Sequence, residues 1–234
     1  MVQPLYRNLA AALVTVVYVK CIIGCCDVLV RRRVLSSDVS RKLVHIAAGC
    51  WCGWWPLFDA THWSWRLNIL VPAVFSVQLL YKGLVLKDPD DPDVRTMSRS
   101  GDPFELCLGP LFFTLVMSAV GLALFRTAAG VCVMAALGFG DGLAPVVGQR
   151  VPVGRYRCPG GVKTLSGSAA MFGGSIVGVV VLRAAIGKPD MLVWPKLIGL
   201  AASATITEAL SPRDADNFLI PLAVLLTTKL IGTH

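Results

Sequence analysis

The stretch from residue 9 to residue 30, LAAALVTVVYVKCIIGCCDVLV, contains only two charged side chains, Lys20 and Asp27. About 20 consecutive apolar residues are enough for an α-helix to cross the hydrocarbon core of a bilayer. The rest of the chain has the same character, since 55% of its 234 residues are hydrophobic and 15% are charged, against roughly 25% charged in soluble domains. This composition excludes a disordered chain and an ordinary soluble domain, and it predicts an integral membrane protein.

Further apolar blocks follow the first. They are 43–58, 67–86, 110–125, 128–147, 165–186, 192–210 and 218–231. We therefore expect an all-α fold, a multi-pass bundle of about seven or eight transmembrane helices that forms one membrane-embedded domain over residues 1–234. The blocks 43–58 and 218–231 are short for a full span. We expect no signal peptide, because the first block is too long and no small-residue cleavage pattern follows it.

The basic residues predict how the bundle is oriented. The chain has 22 Lys and Arg against 14 Asp and Glu, a net charge of +8. Basic residues are about twice as frequent in one set of alternate loops as in the other, which is typical of inward-facing loops and places both termini on the opposite side. Lys188 and Arg213 are counted among the loop residues, whereas Lys20 and Lys82 lie within predicted spans and are not counted. Because topology accounts for the excess, we expect no nucleic-acid partner.

The same set of loops contains nearly every unusual polar cluster. The clusters are SRKLVH at 40–45, SRSGDPFE at 98–105, the stretch 138–168, and EALSPRDADN at 208–217. Charged residues at the ends of membrane helices are costly unless they are paired or bind a ligand. The sequence therefore predicts an active site for an ion or a polar ligand at one membrane face.

The cluster at 138–168 has the residue types of a metal and phosphate site. Gly140 and Gly142 flank Asp141, where glycine permits irregular backbone and a close approach by a ligand, and an aspartate suits a divalent metal. Lys163 and Thr164 then open the next apolar block, where the N–H groups of a helix start and a lysine can bind phosphate. Two alternatives stay open: the glycines pack helices closely, and Thr164 caps a helix.

A run of aspartates and prolines, KDPDDPD at 87–93, follows the third block. Prolines stiffen turns, and clustered like charges are usually solvated. We interpret this run as a solvated loop rather than as a metal site.

The ordered set RKLVH, SRSGDPFELCLGPL, GDGLAPVVGQR, KTLSGSAAMF and EALSPRDADNFLIPL resembles the polyprenol kinase family, and within it the phytol and farnesol kinases of plants and algae. The resemblance covers about residues 40–225. It implies a membrane kinase that transfers the γ-phosphate of CTP, or of another nucleoside triphosphate, to an isoprenoid alcohol, with phytol as the first choice and Mg²⁺ as the metal. It also implies a plastid membrane, with the endoplasmic reticulum as the alternative, and lateral entry of the alcohol from the bilayer.

The resemblance also implies roles for individual residues. The nucleotide-binding set is Arg41, Lys42, Arg99, Gly140, Gly142, Lys163, Thr164 and Gly167. The catalytic set is Asp141, Lys163 and Asp216, and the metal set is Asp141, Glu208 and Asp216. His45 and Glu105 are the expected contacts of the alcohol. The chain departs from the family pattern at Pro145, where a second aspartate is expected, and at Gln149, where an arginine is expected.

Two other functions use similar residues. A lipid cytidylyltransferase needs the same nucleotide and metal but releases pyrophosphate instead of a nucleoside diphosphate. A secondary transporter also has glycine-interrupted helices with buried charges, although its site lies near the bilayer midplane, often between inverted repeats. The polar clusters lie at one face and no repeat is evident, which favours an enzyme.

Overall fold

The computed structural model describes residues 2–187, 194–212 and 215–232, and its regular structure is almost entirely helical. The α-helices are α1 Val2–Arg31, α2 Ser37–Gly49, α3 Leu70–Tyr81, α4 Pro92–Met97, α5 Gly109–Ala123, α6 Ala128–Ala135, α7 Asp141–Arg150, α8 Leu165–Ala185, α9 Trp194–Leu210 and α10 Asp216–Leu230. Shorter 3₁₀ helices are Cys50–Leu57, Trp63–Ile69 and Pro103–Cys107, and π-helical turns are Lys82–Leu86 and Ala136–Gly140. Strands β1 Arg155–Cys158 and β2 Gly161–Thr164 form one hairpin. The all-α fold class is confirmed.

Five helical segments of the described chain are long and apolar enough to cross a membrane. They are Gln3–Arg31, Trp63–Leu86, Pro103–Ala123, Ala128–Arg150 and Leu165–Ala185. The described residues thus contain five candidate spans instead of the expected seven or eight: α10 has 15 residues, below the ~20 that a span needs, and the described part of α9 has 17. Residues 192 and 193 of the predicted seventh span lie outside the described residues, as do Lys188 and Arg213.

The predicted second span, 43–58, is not a single α-helix. The segment starts as α2 and continues as the 3₁₀ helix Cys50–Leu57. It runs back along α1, because the Tyr18 hydroxyl donates to the Ala47 carbonyl at 2.7 Å and Arg7 Nε donates to the Leu57 carbonyl at 3.0 Å. A 3₁₀ helix rises about 2.0 Å per residue instead of 1.5 Å, so this short segment still extends over much of the length of α1.

The chain folds as two compact units, Met1–Ala123 and Leu124–His234. In the first unit, α1 runs from the 3₁₀ helix Trp63–Ile69 to α4. Near the start of α1, Asn8 Nδ2 donates to Ser64 Oγ at 2.7 Å. Near its end, Arg95 Nε in α4 donates to Asp27 Oδ1 at 2.9 Å.

Helix α3, like α1, ends next to α4. Buried aspartates there contact the end of α3 and the π-helical turn that follows it. Lys82 Nζ lies 2.8 Å from Asp91 Oδ1 and 2.6 Å from Asp93 Oδ2, and Gln78 Nε2 donates to Asp93 Oδ2 at 2.9 Å. Asp91 and Asp93 are buried. The interpretation of 87–93 as a solvated loop is therefore wrong for these two aspartates, because a lysine from the preceding span pairs with them.

In the second unit, α7 and the π-helical turn Ala136–Gly140 pack closely against α8. A Cβ on Gly148 would lie 2.7 Å from Thr164 Oγ1 and 3.3 Å from Gly167 Cα, and one on Gly140 would lie 2.5 Å from Ser175 Oγ. Small residues that let helix backbones approach are typical of membrane interfaces. The packing alternative is thus confirmed for Gly140, and Gly148 packs against α8 in the same way.

Candidate nucleotide-binding cleft

A short hairpin positions Lys163. Strands β1 and β2 are antiparallel, with the two-residue turn at positions 159 and 160 between them. Tyr156 pairs with Lys163 in the register, so both side chains lie on one face of the hairpin. Lys163 is therefore placed by strand β2, directly before the start of α8, rather than by the helix start that the sequence predicted.

Lys163 forms an ion pair with Glu208, which lies in the last turn of α9. Lys163 Nζ is 2.6 Å from Glu208 Oε1, and it also donates to the Glu208 main-chain carbonyl. The two side chains are 21% and 10% exposed, so the pair is largely shielded from solvent. The structure thus brings together two predicted site residues that are 45 positions apart.

The start of α8 is capped. Thr164 Oγ1 accepts from the Gly167 N–H at 3.0 Å, and the Leu165 N–H donates to the Gly154 carbonyl at 3.0 Å. The Ser166 N–H donates to the Val153 carbonyl at 3.4 Å. The expectation that these N–H groups are exposed for phosphate is therefore wrong, because Thr164 and the preceding loop already satisfy them.

These elements surround a cleft of about 250 Å³. It is lined by Ala144, Pro145, Gly148, Gln149, Gly160, Val162, Lys163, Thr164, Gly167, Ser168 and Glu208. The lining offers one ammonium group, two hydroxyl groups, one amide and one carboxylate, and its three glycines leave room next to the backbone. Both positions that depart from the family pattern, Pro145 and Gln149, lie in this lining.

Asp141 lies at the start of α7, away from the α7 residues that line the cleft. It is buried, with 4% of its surface exposed, and directly follows the π-helical turn. The seven residues from Asp141 to Gly148 correspond to about 10 Å along the helix axis. Asp141 and its neighbours Gly140 and Gly142 are not among the described residues that line the cleft.

Asp216 is the first residue of α10, where its Oδ1 accepts from the Asn217 main-chain N–H at 2.9 Å and from Asn217 Nδ2 at 3.2 Å. Among residues 2–187, 194–212 and 215–232, no group of three or more His, Cys, Asp or Glu side chains is arranged to hold a metal ion. Within the cleft lining the only carboxylate is Glu208. The metal set Asp141, Glu208 and Asp216 stays a prediction.

Three of the predicted residues lie on α2, in the first unit. Arg41 Nη2 is 3.8 Å from Asp38 Oδ1, and Lys42 is buried, with 8% exposed. The His45 ring packs against the Phe113 ring of α5 with centroids 4.1 Å apart. The structure thus shows contacts of Arg41 and His45 and the burial of Lys42, and the predicted roles of all three stay predictions.

Glu105 organises the loop before α5. Its Oε2 accepts from Ser98 Oγ at 2.7 Å and from the Ser100 N–H at 3.2 Å, and it also accepts from the Arg99 N–H. The loop turns at Gly101, whose φ of 83° favours glycine. The described partners of Glu105 are thus the donors of its own loop, while the Arg99 side chain is exposed.

Neither the hairpin beside the cleft nor the hydrogen bond that joins it to α8 was expected from the sequence. The Tyr156 hydroxyl lies 2.7 Å from Ser168 Oγ and joins the hairpin to α8. The alternation of charged and less polar residues in RYRC at 155–158 is the signal that could have predicted the strand. Arg155 and Arg157, which flank Tyr156, are exposed and are not among the described residues of the cleft lining.

The chain is similar over most of its length to plant proteins. It is 33% identical to the probable phytol kinase 1, chloroplastic, of Glycine max, a match that covers 85% of this chain and 68% of the relative. It is 31% identical to the probable phytol kinase, chloroplastic, of Zea mays, covering 88% and 70%. Against phytol kinase 1, chloroplastic, of Arabidopsis thaliana it is 29% identical, covering 86% and 69%. No protein-family model and no solved structure matches the chain.

Proposed function

The chain belongs to the phytol kinase family, and we propose that it transfers the γ-phosphate of CTP, or of another nucleoside triphosphate, to an isoprenoid alcohol, with phytol as the first substrate to test. Its chloroplastic relatives and its apolar helices of spanning length identify it as a plastid membrane protein. The observation that carries the proposal is the cleft in which Lys163, Thr164, Gly167 and Glu208 come together.

The cleft has the groups that phosphoryl transfer requires. This reaction depends mostly on positioning and on neutralising negative charge. Lys163 supplies the positive charge, and the hydroxyl groups of Thr164 and Ser168 donate hydrogen bonds to phosphate oxygens. When a triphosphate enters, Lys163 exchanges its contact with Glu208 for a contact with phosphate.

The proposed reaction forms a bond between the alcohol oxygen and the γ-phosphorus and breaks the bond from that phosphorus to the β,γ-bridging oxygen. The nucleoside diphosphate leaves, and the hydroxyl proton passes to a carboxylate. We propose Asp216 or Glu105 as that carboxylate. Arg41, Lys42, Arg99, Gly140 and Gly142 are proposed as further nucleotide contacts, and His45 is proposed as a contact of the alcohol.

The cleft offers one protein ligand for a magnesium ion, the carboxylate of Glu208. Mg²⁺ is usually held by one or two carboxylates together with substrate phosphates and waters, so the single carboxylate of Glu208 suffices as a protein ligand there. We also propose Asp141 and Asp216 as metal ligands, and both lie outside the described lining of the cleft. A bound magnesium ion would neutralise charge on the phosphate oxygens.

The test uses the protein in lipid nanodiscs with Mg²⁺, phytol or farnesol, and CTP labelled in the γ-phosphate. Label is expected in a lipid monophosphate, with release of cytidine diphosphate; release of pyrophosphate would instead identify a cytidylyltransferase. Lys163→Met is expected to lower kcat/KM by at least about a hundredfold, which is typical for loss of one charged contact to the transferring group. The control Lys229→Met removes an exposed lysine at the end of α10, outside the cleft, and should leave the rate unchanged.

Two results would overturn the proposal. One is the absence of transfer from both CTP and ATP to any prenyl alcohol in protein that remains folded. The other is an unchanged rate in Lys163→Met, which would remove the cleft from the reaction.

A further inference from the structure

Strand β2 has one open edge, and this edge faces the cleft. Strand β1 pairs with β2 on one side only, in a sheet of two strands. The hairpin residues in the cleft lining are Gly160 of the turn and Val162, Lys163 and Thr164 of β2. Among the described residues of the lining, none belongs to β1. The cleft therefore lies along the side of β2 that β1 leaves open.

The main-chain N–H and C=O groups of Val162 point to this open side. In an antiparallel pair, residues that exchange hydrogen bonds with the partner strand alternate with residues whose N–H and C=O groups point away from it. The Leu165 N–H donates to the Gly154 carbonyl at 3.0 Å, which continues the ladder by one pair. Counting back from Leu165, Lys163 bonds to β1, whereas Val162 and Thr164 point away from it.

Val162 is the residue of β2 whose two outward groups both remain available. Neither its N–H nor its C=O has a hydrogen-bond partner among the described residues, and Val162 is 66% exposed. At Thr164 the carbonyl instead starts the hydrogen bonds of α8, because Thr164 is the N-cap of that helix. Unpaired main-chain groups at a strand edge readily bond to another molecule.

A donor and an acceptor side by side suit a nucleobase better than a phosphate. A phosphate oxygen bound to the Val162 N–H would also face the Val162 carbonyl oxygen, and two acceptors repel each other. Cytosine and adenine carry an amino group next to a ring nitrogen that accepts, and these match the carbonyl and the N–H. Uracil and guanine carry the two groups in reverse order, so they would bind only when turned round, with the ribose directed the other way.

The hairpin is anchored on both of its strands, which holds this edge in place. On β1, the Tyr156 hydroxyl lies 2.7 Å from Ser168 Oγ of α8. In the turn before β2, Gly160 packs against the Ser211 main-chain carbonyl oxygen so closely that a Cβ would not fit. A main-chain edge that is fixed in this way presents its donor and acceptor in one order only.

We propose that the main chain of Val162 binds the base of the nucleotide and selects cytosine and adenine over uracil and guanine. The identity of the ligand rests on the proposed function, in which Lys163, the next residue, binds the phosphates of the same nucleotide. The lining also contains an amide with a donor and an acceptor, that of Gln149. This amide can rotate by half a turn and present either order, so it does not distinguish the two classes of base.

The first test measures equilibrium binding by calorimetry in nanodiscs with Mg²⁺ and without any alcohol, and it needs no substitution. CTP and ATP are expected to bind about tenfold or more tightly than UTP and GTP, which lose both hydrogen bonds. The analogue 3-deaza-CTP lacks the ring acceptor, and the triphosphate of 2-pyrimidinone riboside lacks the amino group. Each should bind about three- to tenfold more weakly than CTP.

The second test removes the donor. Val162→Pro deletes an N–H that lies outside the ladder, and proline is tolerated at such edge positions. It is expected to weaken CTP binding about three- to tenfold and to leave 3-deaza-CTP binding unchanged, so that the two affinities become equal. The matched control is Arg157→Pro. Arg157 pairs with Val162 in the register, so its N–H is also outside the ladder but points to the opposite edge, and the ratio of the two affinities should stay that of the unchanged protein.

Binding that discriminates between the bases without any phosphate transfer to an alcohol would support the role of Val162 and contradict the kinase proposal. Four results would overturn the role of Val162. They are equal affinity for CTP and inorganic tripolyphosphate, equal affinity for CTP and UTP, a ratio of CTP to 3-deaza-CTP affinity that Val162→Pro leaves unchanged, and a preference for CTP that Gln149→Ala removes and Val162→Pro keeps.

Discussion

Replacing Gly174 by alanine tests how closely the π-helical turn Ala136–Gly140 and α8 approach. A Cβ at Gly174 would lie 3.0 Å from the Phe139 main-chain carbonyl oxygen and 3.3 Å from Gly140 Cα. Both are backbone atoms, so they cannot move without shifting the π-helical turn that precedes Asp141. Overpacking of this kind costs about 1–3 kcal/mol. The adjacent Gly173 is the matched control, because it lies on the same helix and a Cβ there has no neighbour within 4 Å.

The assay is thermal unfolding of Gly174→Ala and Gly173→Ala in the same detergent. Both substitutions change helix propensity by the same amount, so the difference between them reports the helix contact alone. For a chain of this size 1 kcal/mol corresponds to about 2–4 °C, so Gly174→Ala should melt roughly 2–12 °C below Gly173→Ala. Equal melting temperatures would refute the close approach, and with it the packing explanation for the glycines of this cluster.

Three further experiments test the cleft. A double-mutant cycle with Lys163→Met and Glu208→Gln, measured by unfolding, should give a coupling free energy of about 0.5–3 kcal/mol; additive effects would mean that the pair contributes nothing to stability. Thr164→Ala should cost about 1 kcal/mol because the cap of α8 is lost, while Thr164→Ser, which keeps the hydroxyl, should unfold like the unchanged protein. Tyr156→Phe removes the hydrogen bond to Ser168 and should lower the unfolding free energy by about 0.5–1.5 kcal/mol, and no change in stability would show that the hairpin is held by other contacts.

Local features of the chain made much of this protein predictable. The membrane class and the helical fold follow from runs such as 9–30, because hydropathy is a sum over neighbouring residues and the bilayer requires helices of about 20 residues. The family also follows from local sequence, since its motifs keep their order. The number of spans could not be obtained in this way. A block such as 43–58 changes from an α-helix to a 3₁₀ helix at Cys50, and hydropathy does not report that change.

The sequence by itself determined a helical membrane protein with Thr164 and Gly167 at the start of one of its helices and Lys163 directly before it. Only the tertiary structure decided what those residues contact: Lys163 pairs with Glu208, and Thr164 and the preceding loop already occupy the N–H groups that phosphate was expected to bind. It also decided that Lys82 pairs with Asp91 and Asp93. The physical reason is that the cost of a buried charge depends on which partner the packing of helices brings within hydrogen-bond distance, and sequence spacing does not specify that partner.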